Sequence, residues 1–302
     1  MEVVNQKIPL EFPNGIELYI KREDLVHPII SGNKFRKLKY NLQEAKRLGC
    51  KKLLTFGGAF SNHIVAVAGA GAEFGFETIG IIRGEELQDK IQENPSLLKA
   101  QQFGMQFNFV DRNQYRDKMD PNFLALLTAR YGSFYLIPEG GTNELAIRGC
   151  EEIITAADKI AFSHICCAVG TAGTLSGIIN ASNADQQIIG FSSLKGSFLS
   201  EVICNFAQQK NWSVIESYHF GGYGKVTDEL IRFMNAFYDK YQVPLDPIYT
   251  GKMMFGILDL IQQNYFPPHS KIVAIHTGGL QGIAGMNQRL QAKNKEIIHY
   301  NG

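Results

Sequence analysis

The 302-residue sequence has almost no excess charge of either sign, with 30 Lys and Arg against 29 Asp and Glu and a formal net charge of +1 at pH 7. A surface that tracks a phosphate backbone needs a basic excess gathered on one face, so nucleic acid is not an expected partner. Long apolar runs are missing too. None approaches the roughly 18 residues of a membrane-spanning helix. The N-terminal MEVVNQKIPLEF lacks the basic-then-apolar pattern of a secretory signal. No membrane partner is expected, and the expected location is the cytoplasm. Cysteines are few, odd in number and scattered: Cys50, Cys150, Cys166, Cys167 and Cys204, with no CxxC pair. That pattern fits neither a disulfide framework nor a zinc site, and no metal is expected. Cys166 and Cys167, in the apolar run FSHICCAVG, read as buried, reduced strand residues that act as small hydrophobes. Low-complexity tracts and solenoid-period repeats are also lacking.

What is present is the composition of a folded protein. Hydrophobic residues make up 45% and charged residues 20%, near the averages for globular chains. The length suffices for two modest domains or one large α/β unit, with a sizeable core and a cleft. From residue 50 onward a short apolar run, a Gly-rich or polar break and a helical pattern alternate. The strand candidates are 52–56, 78–82, 105–110, 134–138, 164–169, 188–192 and 271–277. Between them lie helix-length segments such as NHIVAVAGAGAEFG, PNFLALLTARYG, TDELIRFMNAFYDKY and KMMFGILDLIQQN. Such alternation predicts βαβ units around mainly parallel sheets. The mid-chain PEGGTN, at 138–143, is where a domain crossing can fall.

Several stretches can carry chemistry. In SGNKFRKLKY, Phe35, Leu38, Leu42 and Ala45 recur at helical spacing, so Arg36, Lys37 and Lys39 are expected on a solvated face. Lys34 differs, because SGN is a turn-and-cap signature that places it near a helix start beside a glycine permitting close approach. In TFGGAFSNHIVAVAGAGA a strand ends, two glycines turn the chain, and Ser61 or Asn62 can cap the following helix, whose free amides suit an anion. His63 by itself suits packing or capping as well as catalysis. In ICCAVGTAGTLSGII a strand enters Gly170, Thr171, Ala172, Gly173 and Thr174 and a helix leaves them, the geometry in which backbone N–H groups surround a phosphate. The loop lacks the lysine of GxxxxGK[ST] and the spacing of GxGxxG, which favours a small phosphorylated ligand over ATP or a dinucleotide. Tyr223 and Tyr249 sit in Gly-containing loops before helices, and Thr277 follows a strand at its carboxyl end, where parallel sheets keep their ligands.

Taken in order, KREDL, SGNKFRKLKY, GGAFSNH, PEGGTN, GTAGTLSG, GYGKVTDE, DPIYTGK and HTGG resemble the pyridoxal-phosphate enzymes of fold type II. Within them the likeness is to 1-aminocyclopropane-1-carboxylate (ACC) deaminases and D-cysteine desulfhydrases, over about residues 6–287. The resemblance implies an α/β fold like the tryptophan synthase β-subunit, with two domains, each a mainly parallel twisted sheet flanked by helices. It implies a larger cofactor-binding domain from 1–39 and 144–302, a smaller substrate-side domain from 40–143, pyridoxal 5'-phosphate as cofactor, and a homodimer. By that resemblance Lys34 is the lysine that bonds to the cofactor aldehyde, and Asn62 lies beside the phenolic oxygen. Ser61, with Asn62 and His63, receives the substrate; Gly170 through Thr174 form the phosphate cup, with Ala172 where relatives commonly have glycine. Tyr249 stacks on the ring, and Tyr223 is a second active-site tyrosine.

Two threonines bear on the reaction. Where the ACC deaminase pattern has glutamate after the stacking tyrosine and leucine before the paired glycines, this chain has Thr250 and Thr277, as in the D-cysteine desulfhydrase pattern. A threonine hydroxyl can hydrogen-bond an unprotonated ring nitrogen but cannot balance a positive charge there, which makes a milder electron sink. The expected reaction is α,β-elimination from a small amino acid, with D-cysteine giving pyruvate, ammonia and hydrogen sulfide. ACC deamination to α-ketobutyrate is the alternative enzyme reading, and a non-catalytic protein that binds pyridoxal phosphate is the reading from another class.

Overall fold

In the computed structural model, which describes residues 3–196 and 199–300, the strands are β1 (Asn5–Lys7), β2 (Glu17–Lys21), β3 (Lys52–Gly57), β4 (Glu77–Arg83), β5 (Gln106–Val110), β6 (Tyr135–Ile137), β7 (His164–Val169), β8 (Gln187–Ser192), β9 (Trp212–Ile215) and β10 (Lys271–Ile275). They form a six-stranded sheet in the order β1-β2-β10-β7-β8-β9 and a four-stranded sheet in the order β5-β4-β3-β6. All pairings are parallel except that of β1 with β2. The fold is thus the expected α/β arrangement of two mainly parallel sheets flanked by helices.

All seven expected strands are present. The pattern missed β1, β2 and β9. β1 and β9 are short edge strands that offer little apolar signal, and β2 alternates, burying Leu18 and Ile20 while Glu17 and Tyr19 stay partly exposed. β7 shows the opposite signal. Every residue of HICCAV is buried, as expected for a strand covered on both faces. Cys166 packs with Ile189 and Ala274 on one face and Cys167 with Ile165 and Val273 on the other, both as free thiols. Among the described residues no helix is long and apolar enough to cross a membrane.

Three helices set the frame of the cleft, and two glycines let them touch backbone to backbone. A Cβ on Gly149, in the helix Glu144–Glu151, would lie 2.0 Å from the carbonyl oxygen of Arg36 in the helix Asn33–Arg47. One on Gly177, in the helix Gly173–Ala181, would lie 2.6 Å from the Ile147 carbonyl oxygen. The helix Glu144–Glu151 thereby joins the helix carrying Lys34 to the helix that follows the GTAGT loop through close approaches at two glycines. Gly149→Ala should therefore cost roughly 3 kcal/mol, the upper part of the range for overpacking. Thermal melting should show this as a fall of about 5–10 °C in Tm, and an unchanged Tm would mean that the contact is softer than its geometry.

Candidate functional site

A cavity of about 1100 Å³ opens between loops at the carboxyl ends of strands from both sheets. That is where parallel sheets leave helix N-termini and free amides facing a ligand. Lys34, Ser61, Asn62, His63, Gly170, Thr171, Ala172, Thr174, Tyr223, Tyr249 and Thr277 all line it. Gly173 lies between two of these positions, and Thr250 is not part of the wall.

Lys34 is the second residue of the helix Asn33–Arg47. Gly32, just before it, has φ +65°, and a Cβ there would lie 2.0 Å from the Thr277 carbonyl oxygen. Only glycine meets both conditions. The Asn33 amide donates to that same carbonyl at 3.2 Å, which binds the SGN turn to the HTGG turn. Lys34 Nζ donates to Asn33 Oδ1 at 3.2 Å, and Asn33 Nδ2 donates to Thr174 Oγ1 at 2.8 Å. Desolvation, aided by the neighbouring Lys37 charge, brings the Lys34 amine from its ordinary 10.5 down to about 7. A substantial neutral fraction near neutrality is what a nucleophilic lysine requires.

The basic run behind Lys34 is not the solvated face expected from its spacing. Lys37 is only 2% exposed. Its Nζ donates to Gly140 O at 2.9 Å, Thr142 Oγ1 at 3.1 Å and Thr171 Oγ1 at 3.3 Å, and burial lowers its pKa. Arg36 forms a two-pronged pair with Glu23, both contacts at 2.9 Å, and Lys39 reaches Glu152 at 2.6 Å. Helical periodicity identified the apolar face correctly. It could not show that Lys37 is roofed by the loop at 138–143 and by Thr171.

Ser61 caps the helix Asn62–Phe74, its Oγ accepting from the Ile64 amide at 3.4 Å. Asn62 Oδ1 is buried and has no hydrogen-bond partner among the described residues, and neither has His63 Nδ1. The Thr55 hydroxyl donates to Ile137 O at 2.8 Å and lies 2.8 Å from His63 Nε2. It therefore accepts from Nε2–H, which leaves Nδ1 as a bare acceptor. Burial and the two lysines push His63 well below 6.5, so the ring is neutral.

At the other wall Ala172 sits at φ +61°, so its methyl is accommodated in the left-handed region. A Cβ on Gly170 would lie 2.9 Å from the Tyr249 ring, and one on Gly173 2.8 Å from Thr142 Oγ1 and 3.3 Å from Lys37 Nζ. Tyr249 meets Tyr223 edge-on with ring centroids 6.3 Å apart, and Tyr223 is 49% exposed. Burial and the nearby Tyr223 and Asp246 raise the Tyr249 pKa, keeping the phenol neutral. Asp246 accepts from the Tyr249 and Thr250 amides at 2.7 and 3.0 Å, while Thr250 Oγ1 accepts from the Asp246 amide at 2.8 Å. Burial raises Asp246 to about 6. Lys252 Nζ donates to the carbonyls of His219 and Gly222, both at 2.9 Å, tying the Tyr223 loop to the helix that begins after Tyr249.

These residues fit a small phosphorylated aromatic aldehyde. Two side-chain-free positions and the buried Lys37 amine surround the space before the helix Gly173–Ala181, a depressed lysine stands beside it, and Asn62 offers a buried polar atom with no partner among the described residues. Sequence reasoning missed Asn33, Lys37, Asp246 and Lys252. Lys37 had one available signal, its three-residue spacing from Lys34, which puts both amines on one side of the helix.

A family model described as pyridoxal-phosphate dependent enzyme matches residues 8–278. A Pyrococcus horikoshii protein named as a candidate ACC deaminase is 31% identical, the match covering 93% of this chain and 92% of that one. A Yersinia pestis D-cysteine desulfhydrase is 30% identical over 92% of this chain and 93% of its own. The crystal structure of an ACC deaminase homologue superposes with a TM-score of 0.82 at 27% identity, covering 97% of this chain and 94% of that one.

The depressed lysine has a measurable consequence for the cofactor-free protein. Below about pH 7 the folded and unfolded chains both carry the Lys34 charge, and the folded state bears its desolvation. Between about 7 and 10.5 the unfolded chain still holds a proton that the folded one has released, so stability rises with pH. Lys34→Met should therefore stabilise the fold at about pH 6 and give a shrinking gain toward about pH 10, as read by urea unfolding. An equal gain at both pH values would show that the amine is not desolvated.

Proposed function

The chain belongs to the pyridoxal-phosphate-dependent enzymes, and from that premise we propose that it catalyses α,β-elimination on a small amino acid, with D-cysteine yielding pyruvate, ammonia and hydrogen sulfide. The observation that carries this reading is Lys34, an amine lowered to about 7 and linked through Asn33 to the GTAGT loop. Bound pyridoxal phosphate supplies an electron sink for negative charge at the substrate α-carbon. In this reading amides of the Gly170–Thr174 loop hold the phosphate with the Lys37 amine behind them, Asn62 holds the phenolic oxygen, and the Tyr249 ring supports the aromatic face. Lys34 holds the cofactor and moves the α-proton. Ser61 and neutral His63 orient the substrate, and Tyr223 closes the mouth.

The choice of reaction rests on the threonines. Thr277 lines the cavity and is 7% exposed, which suits a hydroxyl that meets the ring nitrogen. Thr250 is fully buried and engaged with Asp246, so its part is to hold the Tyr249 turn. With no carboxylate at either position the sink is the milder one, and release of a thiol asks less of it than opening a cyclopropane. ACC deamination is the second reading, favoured by the name of the Pyrococcus relative.

The four strands β3 to β6 all fall between residues 52 and 137, which supports reading 40–143 as the smaller, substrate-side unit and 1–39 with 144–302 as the larger. The helix Asn33–Arg47 runs unbroken across that first boundary and joins the two. The proposal takes the molecule as a cytoplasmic homodimer.

Purified protein supplied with pyridoxal phosphate should release sulfide and pyruvate from D-cysteine faster than α-ketobutyrate from ACC. Lys34→Ala should lower turnover by roughly a thousandfold or more, in the range for loss of a covalent-catalysis residue. Faster α-ketobutyrate release would transfer the proposal to ACC, and turnover that survives Lys34→Ala would remove the catalytic reading.

A further inference from the structure

The inner end of the cavity is occupied by the residues assigned above; its outer end is not. There the wall carries Arg83, the last residue of β4, with Arg112, Arg116 and Lys118 from the segment after β5. Two of these four cations have carboxylate partners. Arg112 Nη2 lies 2.9 Å from Glu86 Oε1, and Lys118 Nζ lies 3.3 Å from Glu139 Oε2. Glu139 also accepts from the Tyr115 hydroxyl at 2.7 Å. Arg83 and Arg116 have no ion-pair partner among the described residues.

Arg83 is also the better held of the two. It stands at the end of a strand, its guanidinium carbon lies 5.5 Å from the ring centroid of Tyr115, and that ring is 3% exposed. Its Nη2 is 3.5 Å from where a Cβ on Gly58 would stand, beside the loop that leads to Ser61. A planar fork so placed matches the oxygens of a carboxylate, phosphoryl or sulfo group two at a time. The cavity of about 1100 Å³ is lined both by the residues assigned to cofactor and substrate and by these cations, so one space connects them. A bare thiol or hydroxyl at the β-carbon would leave Arg83 and Arg116 without a counterpart.

We infer that the preferred substrate carries a second anionic group, a carboxylate, phosphoryl or sulfo group on its β-substituent, and that Arg83, with Arg116 beside the mouth, selects for it. This rests on the reading of the chain as an eliminating enzyme. The reaction keeps its form: the α-proton is removed, and the bond from the β-carbon to the leaving atom breaks with its electron pair going to that atom. Water then hydrolyses the three-carbon fragment to pyruvate and ammonia. For the phosphate ester of serine, one water is consumed and pyruvate, ammonia and inorganic phosphate are released, with no net oxidation or reduction.

The test compares kcat/KM of the holoenzyme for D-cysteine with that for both enantiomers of O-phosphoserine, S-sulfocysteine and S-carboxymethylcysteine, the three families separating phosphoryl, sulfo and carboxylate recognition. At least one anionic substrate should exceed D-cysteine by roughly tenfold, and Arg83→Met should lower that ratio by about tenfold, mainly through KM. Arg83→Lys should restore only part of it, because an ammonium lacks the fork. The inference is overturned if D-cysteine reacts and no anionic substrate is preferred, or if Arg83→Met lowers all substrates by the same factor. Reaction with none of them, by protein that carries the cofactor's absorbance, would remove the elimination reading and this inference with it.

Discussion

The approach of Gly32 to the Thr277 carbonyl is the contact on which the candidate site depends. It brings the start of the Lys34 helix, near the N-terminus of the chain, against the end of β10, near the other end, and the Asn33 amide closes it with a hydrogen bond. Because the contact is between backbones, it sets position more closely than flexible side chains could. Gly149 and Gly177 extend the same principle to the two helices on the far side. Lys34, Thr277 and the GTAGT loop are thus held by one rigid frame although they lie far apart in sequence.

Within that frame the electrostatics follow from burial. Two lysines lie three residues apart with no carboxylate among the described residues hydrogen-bonded to either amine, and Lys37 satisfies its protons on a carbonyl and two hydroxyls instead. Desolvation makes both charges harder to hold, and the Lys37 charge lowers Lys34 further. His63, caught between them, stays neutral. Such an arrangement is poor for stability and suited to an incoming anion, since a phosphate would supply the negative charge that the protein withholds. Asp246, a buried carboxylate whose charge acts on Lys34, is engaged with backbone amides of the Tyr249 turn.

The strands were legible in the sequence wherever they were buried on both faces, as β7 was, because a short, continuous apolar run between turns is stable only when both of its faces are covered. β1 and β9 were not, because short edge strands are stabilised by pairing that no local pattern encodes. The glycine-rich loops were readable for a similar reason: a strand that ends in small residues and restarts as a helix leaves amides free whatever its surroundings. Lys37 was misread because amphipathic spacing separates apolar from polar faces and says nothing about what covers the polar one.

The sequence by itself determined the alternation of strands and helices, the glycine-rich loop at Gly170–Thr174, a cap at Ser61 or Asn62 and the helix start at Lys34, since each depends on neighbouring residues and local stereochemistry. Only the tertiary structure decided that Lys37 faces the cavity while Arg36 and Lys39 are paired with Glu23 and Glu152, that Thr277 lines the site while Thr250 is turned into its own loop, and that Arg83 stands at the mouth without an ion-pair partner among the described residues. Those outcomes depend on distances between segments scores of residues apart in the chain. Burial and charge are properties of the assembled surroundings and not of the residue that carries them.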